Sequence, residues 1–351
     1  MNRGVGWLRS IFKKGMRGLG FLCVAGALAL YWAPAAEAII VAGSSPDVAP
    51  WTNQTTANGT SLGGVAFFSD NNGSCSGAFF EPSLTYILTA AHCVQGFTSG
   101  YVQVPSGAAM TVASVTADPN YSSGNIQEND IAIVTLATPA PAGTPYYSIY
   151  TGSTPSGASI TLAGFGDAGT GTLGNEANTV PADSYTAKTL RQGTNVYDFS
   201  SAQSGGALGI DTAGTDLFYQ FVGPGGAYNA FSLYNRSYGT HLTATNSYSS
   251  TEASIAPGDS GGPSFVSVNG VLEIAGVHSF TTCILTSCVD SSNNPTYQYG
   301  MIDADTDVSL FTNFIYTTAG LTLSPEPGTF GVLSMGLAAI AVYLRRRTSQ
   351  A

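Results

Sequence analysis

Ser260 stands in the run Gly258-Asp259-Ser260-Gly261-Gly262-Pro263. A serine hydroxyl becomes a nucleophile only when a base takes its proton and donors hold the oxyanion that forms. Glycines around a serine permit a turn tight enough for two amide N–H groups to converge on one point. Taken alone, such a run also reads as an ordinary turn. Two other segments supply the missing parts. His92 lies in Thr89-Ala90-Ala91-His92-Cys93, after the strand-like apolar stretch Leu84 to Leu88. Asp130 opens the strand-like run Asp130-Ile131-Ala132-Ile133-Val134-Thr135-Leu136. A hydroxyl, an imidazole to deprotonate it and a carboxylate to orient the imidazole are the parts of an acyl-transfer triad.

At these three places the chain resembles the chymotrypsin/trypsin family of serine endopeptidases. Thr89–Cys93, Asp130–Leu136 and Gly258–Pro263 each match a family signature, in the order His, Asp, Ser. The resemblance covers roughly residues 40–318. His92 and Asp130 are 38 residues apart, and Asp130 and Ser260 are 130 apart. The second interval is long for the family and implies an insertion.

The resemblance implies an all-β fold of two six-stranded antiparallel barrels with a short C-terminal helix. It implies that Ser260 attacks a peptide carbonyl, that His92 moves the proton and that Asp130 fixes the imidazole. The amides of Gly258 and Ser260 would form the oxyanion hole, and Ser279 would hydrogen-bond the triad aspartate. No metal or organic cofactor is required. Asp259 would pair with a new N-terminal amine. Ile40-Val41-Ala42-Gly43 resembles the Ile-Val-Gly-Gly start of mature relatives, yet cleavage after Ala38 would leave Ile39 first. Either one residue is trimmed later or the register differs.

Specificity is read from four positions. Ser254 stands six residues before the nucleophile, where trypsin-like members carry Asp. Thr281 stands where many members have Gly at the pocket mouth, and Gly300 falls on the opposite wall. These imply a neutral pocket for a medium apolar side chain, not for Lys or Arg. His278, in Gly276-Val277-His278-Ser279, matches a histidine that binds carboxylate in glutamate-specific relatives. It reads either as that ligand, a pH-dependent counter-charge, or as a core histidine satisfied by a backbone carbonyl. His241 has no motif around it and reads as a loop residue.

The ends of the chain read as addresses. Arg3, Arg9, Lys13, Lys14 and Arg17 precede the apolar stretch Leu19 to Trp32, and Ala36-Glu37-Ala38 offers the small residues that a signal peptidase reads. Residues 1–38 are therefore expected to be a signal peptide. At the other end, Pro325-Glu326-Pro327-Gly328 precedes an apolar run, Thr329 to Leu344, closed by Arg345, Arg346 and Arg347. This resembles a PEP-CTERM sorting tail, which an exosortase-type membrane enzyme is thought to remove in Gram-negative bacteria. Such a run is just long enough to approach the span of a bilayer core, with its arginines cytoplasmic. A permanent single-span anchor is the other reading. Residues 39–320 would be the protease domain, with barrels about 39–145 and 146–305 and a helix about 306–316. Residues 321–351 would be the tail. The partners implied are protein or peptide substrates, signal peptidase and an exosortase-like enzyme, with membrane association through the tail.

Between the two ends only Lys188, Arg191 and Arg236 are basic, against 19 acidic residues, a net charge of about −16. Such a surface suits no general nucleic-acid or anionic-membrane binder. It suits solubility outside the cell, and it leaves few sites for Lys- or Arg-directed proteases. Apart from Cys23 there are four cysteines, Cys75, Cys93, Cys283 and Cys288, an even set that an oxidising compartment would pair. In the family the positions of Cys75 and Cys93 are usually joined, which leaves Cys283 and Cys288 to pair locally. A metal site is the weaker alternative, with three histidines and no Cys-x-x-Cys spacing.

Short β-branched and aromatic runs between turn residues, such as Gly64–Phe68, Thr111–Val115 and Leu272–Val277, read as barrel or sandwich strands. Near the end, Val308, Leu310, Phe311, Phe314 and Ile315 make one helical apolar face, with Asp305 or Asp307 to cap it. The alternation Asp303-x-Asp305-x-Asp307 lacks the Gly and distal Glu of a calcium loop and reads as capping plus solvated acids. Residues 167–250 are expected to hold the insertion as long loops. The reading that results is an exported serine endopeptidase. The alternative is an idle protease-like binding protein or a surface matrix protein.

Overall fold

The computed structural model describes residues 39–43, 55–57, 59–105, 107, 109–122, 128–152, 157–175, 189–204, 214–238, 242, 249–283, 288–290 and 295–322. The expected signal peptide and the apolar run 329–344 lie outside these residues. Among the described residues no helix is long and apolar enough to cross a membrane.

Strand β1, Ile39–Val41, is followed by a small hairpin of β2, Thr56–Ala57, and β3, Thr60–Ser61. Six strands then close a barrel: β4, Val65–Asp70; β5, Ser74–Phe79; β6, Tyr86–Thr89; β7, Gly100–Gln103; β8, Met110–Ala117; and β9, Ala132–Leu136. The ring runs β4-β5-β6-β9-β8-β7, so the first expected barrel is present. β6 pairs β9 with Thr89 opposite Ala132. That ladder brings the ends that precede His92 and follow Asp130 to one rim. The barrel fills with residues such as Val65, Phe79, Ile87, Leu88, Ile133 and Val134, all essentially out of water.

The second half departs from the expectation. Its strands are β10, Ser148–Ile149; β11, Ser159–Gly164; β12, Ala168–Thr170; β13, Gly174–Asn175; β14, Arg191–Val196; β15, Phe199–Ser200; β16, Asp216–Gln220; β17, Ala253–Ser254; β18, Pro263–Val268; β19, Val271–Cys283; and β20, Met301–Asp307. One sheet runs β14-β11-β18-β19-β20-β16-β15, with β10 added beside β19, and does not close among the described residues. A second sheet, β13-β12-β1-β17, carries the N-terminal strand. Where a ladder between β14 and β16 would complete a ring, a side chain stands instead. The Asn195 amide donates to the Gln220 carbonyl at 3.1 Å and to the Ala253 carbonyl at 2.8 Å. One buried amide thus joins β14 to β16 and to β17.

The stretch expected to be long loops holds more regular structure than composition suggested. Phe218-Tyr219-Gln220 belongs to β16, buried and paired with β20. Short helix α1, Ser201–Ser204, follows β15, and α2, Ala230–Tyr238, takes up most of the aromatic string at 228–234. Their aromatic residues pack together, with Phe199 4.8 Å from Phe231 and 5.6 Å from Phe218, centroid to centroid.

At the C-terminal end Asp307 caps a 3-10 turn, Val308–Phe311, by accepting from the Ser309 N–H at 3.1 Å, and helix α3, Thr312–Thr318, follows. The capping expected of Asp307 is observed. The solvated acids are not: Asp303, Asp305 and Asp307 alternate along β20 and are all buried. The cysteines pair as Cys75–Cys93 and Cys283–Cys288.

Replacing Asn195 by leucine keeps the size and removes both donors. Two buried carbonyls then lose this donor, at up to about 1–3 kcal/mol each. We expect a lower denaturant midpoint with an unchanged slope. An unchanged midpoint would show that the seam does not need the amide.

Candidate active site

Asp130 is wholly buried, just before β9. A carboxylate in that position must be given donors, and it receives three. The His92 backbone N–H reaches Oδ1 at 2.8 Å, His92 Nδ1 reaches Oδ2 at 2.7 Å, and the Ser279 hydroxyl reaches Oδ2 at 2.6 Å. Its carbonyl accepts from the Thr306 hydroxyl at 3.0 Å. With Nδ1–H donated to a carboxylate, the neutral ring keeps its lone pair on Nε2. The His92 side chain is about one-fifth exposed.

Ser260 is partly exposed. Its hydroxyl makes no hydrogen bond to a described residue, His92 included; its backbone is what places it. The Ser76 N–H donates to the Ser260 carbonyl at 2.8 Å, and the Ser76 hydroxyl donates to the Gly258 carbonyl at 2.9 Å. The Cys93 sulfur, in the residue after His92, lies 3.5 Å from the Ser260 carbonyl oxygen and 3.6 Å from His92 Nε2. The serine turn is therefore fastened to the disulfide-linked strand β5 at the same place where the imidazole emerges. The glycine spacing is explained at two residues. Gly258 and Gly261 have φ of +94° and +80°, and a Cβ on Gly261 would collide with the Ser76 carbonyl and the Thr89 hydroxyl. The carbonyls of this turn are taken, whereas the N–H groups of Gly258 and Ser260 carry no hydrogen bond to a described residue.

Asp259 points the other way, into the protein. Its carboxylate accepts from the Gly166 N–H at 2.9 Å, the Ala256 N–H at 2.9 Å and the Ile39 N–H at 3.3 Å. In this structure Ile39, not Ile40, reaches the acid. Burial pushes the Asp259 carboxyl up to about 6, although the nearby His278 and the two amides favour its charged form. Ile39 has φ +69°, a strained conformation for a β-branched residue.

The four specificity positions come together only in part. Ser254 is buried in β17 opposite Ile40. Gly300 is buried with φ +103°, its N–H on the Phe221 carbonyl. Thr281 is partly exposed on β19, opposite Asp303 of β20. His278 is wholly buried and its Nδ1 meets neither a substrate nor a backbone carbonyl but a buried carboxylate, 2.9 Å from Asp305 Oδ1. Asp305 also accepts from the hydroxyls of Ser264, Tyr197 and Tyr219.

Sequence reasoning missed Ser76, Asp303 and Asp305. Ser76 had one signal, its place beside a paired cysteine. Asp303 reads as a solvated acid and Asp305 as a helix cap or a solvated acid, because three alternating acids look like a surface strand; the cap is Asp307 and Asp305 is buried. Among the described residues Cys75, His92 and Cys93 are close enough to share a metal, but the disulfide engages both sulfurs.

Gly261→Ala is expected to unseat the nucleophile. A Cβ there meets a backbone carbonyl that cannot move aside, and a positive φ adds about 1 kcal/mol of strain or more. The variant should lose most reactivity of Ser260 toward a fluorophosphonate while near-UV circular dichroism stays native. Full reactivity would show that the turn tolerates the shift.

Residues 48–208, somewhat less than half of the chain, match the family model Trypsin. The match takes in His92 and Asp130 and stops short of Ser260. No curated protein matches the chain. The closed β-barrel and this match support a chymotrypsin/trypsin-like serine protease domain.

Proposed function

We propose that this chain is an exported serine endopeptidase. The observation that carries the reading is the fully buried Asp130 holding His92 through Nδ1, with Nε2 turned to the rim where the Ser260 turn is fastened. In this reading Ser260 Oγ attacks the peptide carbonyl as His92 Nε2 accepts its proton. His92 then protonates the leaving amine, and water repeats the cycle on the acyl-enzyme. Asp130 stabilises the imidazolium, and Ser279 shares that carboxylate's charge. The unengaged amides of Gly258 and Ser260 receive the oxyanion, for about 3–4 kcal/mol of transition-state stabilisation per donor.

In this reading residues 1–38 are a signal peptide and residues 321–351 a PEP-CTERM-like tail with the apolar run 329–344. Signal peptidase and an exosortase-like enzyme act on them, leaving the protease at the surface or in the matrix of a Gram-negative bacterium. Cleavage after Ala38 would turn the Ile39 amide into an ammonium already within reach of Asp259. It would also remove the peptide bond that defines the strained φ of Ile39. Export itself would then complete the oxyanion loop, with no separate activating protease.

A fluorophosphonate should label the processed protein at one site, and Ser260→Ala should abolish both labelling and peptide hydrolysis. Asp130→Asn should keep the fold and lower kcat by about 10⁴. A folded protein that neither labels nor cleaves any of a diverse peptide set would be a binding protein instead.

The activation step has its own test. In the uncleaved chain Asp259 holds its proton more tightly folded than unfolded, since its pKa is raised from an unfolded value of about 3.9 to about 6. The uncleaved form therefore loses stability as pH rises from about 4 to about 6. A free ammonium on Ile39 pulls that pKa down and removes the trend. Melting curves of the mature protein and of a form acetylated on Ile39 should diverge over this range. Parallel curves, or an active protein that starts far from Ile39, would end the idea.

A further inference from the structure

Ser279 holds Asp130, and a second histidine and aspartate stand directly behind it. His278 on β19 lies opposite Asp305 on β20, and both are wholly buried. The His278 Nδ1–H donates to Asp305 Oδ1 at 2.9 Å. The hydroxyls of Ser264 on β18, Tyr219 on β16 and Tyr197, just past β14, donate to the same carboxylate. Close approach is built in at two glycines. A Cβ on Gly276 would collide with Tyr197 Oη and with Asp305, and one on Gly262 would press into the His278 ring.

Packing alone does not ask for an imidazole here. His278 Nε2 has no hydrogen-bond partner among the described residues, and a polar nitrogen buried without one costs stability. A branched aliphatic side chain would fill the space without that cost. It could not bond Asp305.

The pair sits where that bond matters. The residue after His278 is Ser279, whose hydroxyl reaches Asp130 Oδ2 at 2.6 Å. The residue after Asp305 is Thr306, whose hydroxyl reaches the Asp130 carbonyl at 3.0 Å. The His278 backbone meets the nucleophile's turn: its N–H donates to the Gly262 carbonyl at 2.9 Å, and its carbonyl accepts from the Gly261 N–H at 2.8 Å. Just past His278 the register shifts. His278 pairs with Asp305 and Phe280 with Ala304, which leaves Ser279 as the extra residue of a bulge. A bulge re-aims a side chain and interrupts the ladder that would otherwise fix it. The residue that must reach Asp130 is therefore the one that strand pairing constrains least. A side-chain bond one residue away supplies the missing constraint.

We infer that His278 and Asp305 form a positioning pair, whose bond sets the bulge of β19 so that Ser279 holds the Asp130 carboxylate in line with His92. The inference rests on the serine-endopeptidase reading. The pair acts through Ser279 and touches no substrate. An O–H···O⁻ bond of 2.6 Å is near the short end of its range. A small shift of the bulge would lengthen it and let the carboxylate turn away from the imidazole.

The test compares side chains at residue 278 of the processed protein. His278→Leu removes the bond, His278→Asn returns a donor near the Nδ1 position, and His278→Gln carries its donor out toward the Nε2 position. The Leu and Gln variants should lose about 10- to 100-fold in kcat with KM unchanged, and the Asn variant should recover most of it. Should the Leu variant fold poorly, the contrast between Gln and Asn carries the same information. In a Ser279→Ala background, His278→Leu should cost less than about 3-fold more, because the two changes break one chain of contacts. The downfield proton resonance of the His92 Nδ1–H, assigned by its loss in His92→Ala, should move in the Leu and Gln variants and return in the Asn variant. A lower melting temperature with kcat and the resonance unchanged would make the pair structural only. Fully multiplicative losses with Ser279→Ala would place its effect elsewhere. Either result overturns the inference. If the parent protein neither labels with a fluorophosphonate nor cleaves peptides, the peptidase reading fails, and the resonance still decides whether residue 278 sets the bond between His92 and Asp130.

Discussion

A carboxylate taken fully out of water must be given donors, and the site is arranged around that requirement. Asp130 is met by an imidazole, a backbone N–H and a hydroxyl. Asp259 is met by three backbone N–H groups, and Asp305 by three hydroxyls and an imidazole. Each set of donors comes from segments far apart in the chain, so each buried charge fixes the relative positions of those segments. Removing one partner would strand the charge, at several kcal/mol. The geometry of the site is held as a by-product of keeping these charges satisfied.

The two halves meet through small residues for a related reason. Ser76 donates twice to the nucleophile's turn and accepts from the Phe165 N–H at 3.0 Å. A larger side chain at Ser76 or Gly261 would hold the turn away from β5 and from the end of β6. Close backbone approach requires glycine here, and positive φ requires it again. The Cys75–Cys93 bond fixes the two residues that flank this contact, so β5 and the start of the His92 turn move together.

What was legible in the sequence follows from how local each signal is. The bonding of His92 to Asp130 was legible because each residue sits in a short motif whose neighbours have one physical task. Ser279 and Asp259 followed from the same motifs. The first barrel was legible from alternation and turn residues. The second half was not, because its seam depends on long-range bonds, among them the Asn195 amide reaching two carbonyls from other strands, and no local pattern announces a long-range bond. The region 167–250 looked like loops because its Gly, Asn and Ser content hides a strand whose aromatic residues are buried by partners elsewhere. Asp303 and Asp305 were misread for the converse reason. Alternating acids usually mark a solvent face, and only the tertiary structure reveals that β16 and β19 cover them.

The register at the N-terminus shows what local resemblance cannot decide. Ile40-Val41 matches a familiar start better than Ile39-Ile40, yet β1 pairs Ile40 with Ser254 and Val41 with Ala253. Those pairings place the preceding residue, Ile39, against Asp259. A one-residue slip would turn every side chain of β1 to the opposite face, putting Ile40 where Ile39 is now packed with Leu162 and Tyr219. Both isoleucines are fully buried on opposite faces of one strand, each in its own cluster. The pairing of β1 with β17 therefore selects the residue whose nitrogen meets the acid: strand register, rather than the side chain, brings the Ile39 N–H to Asp259.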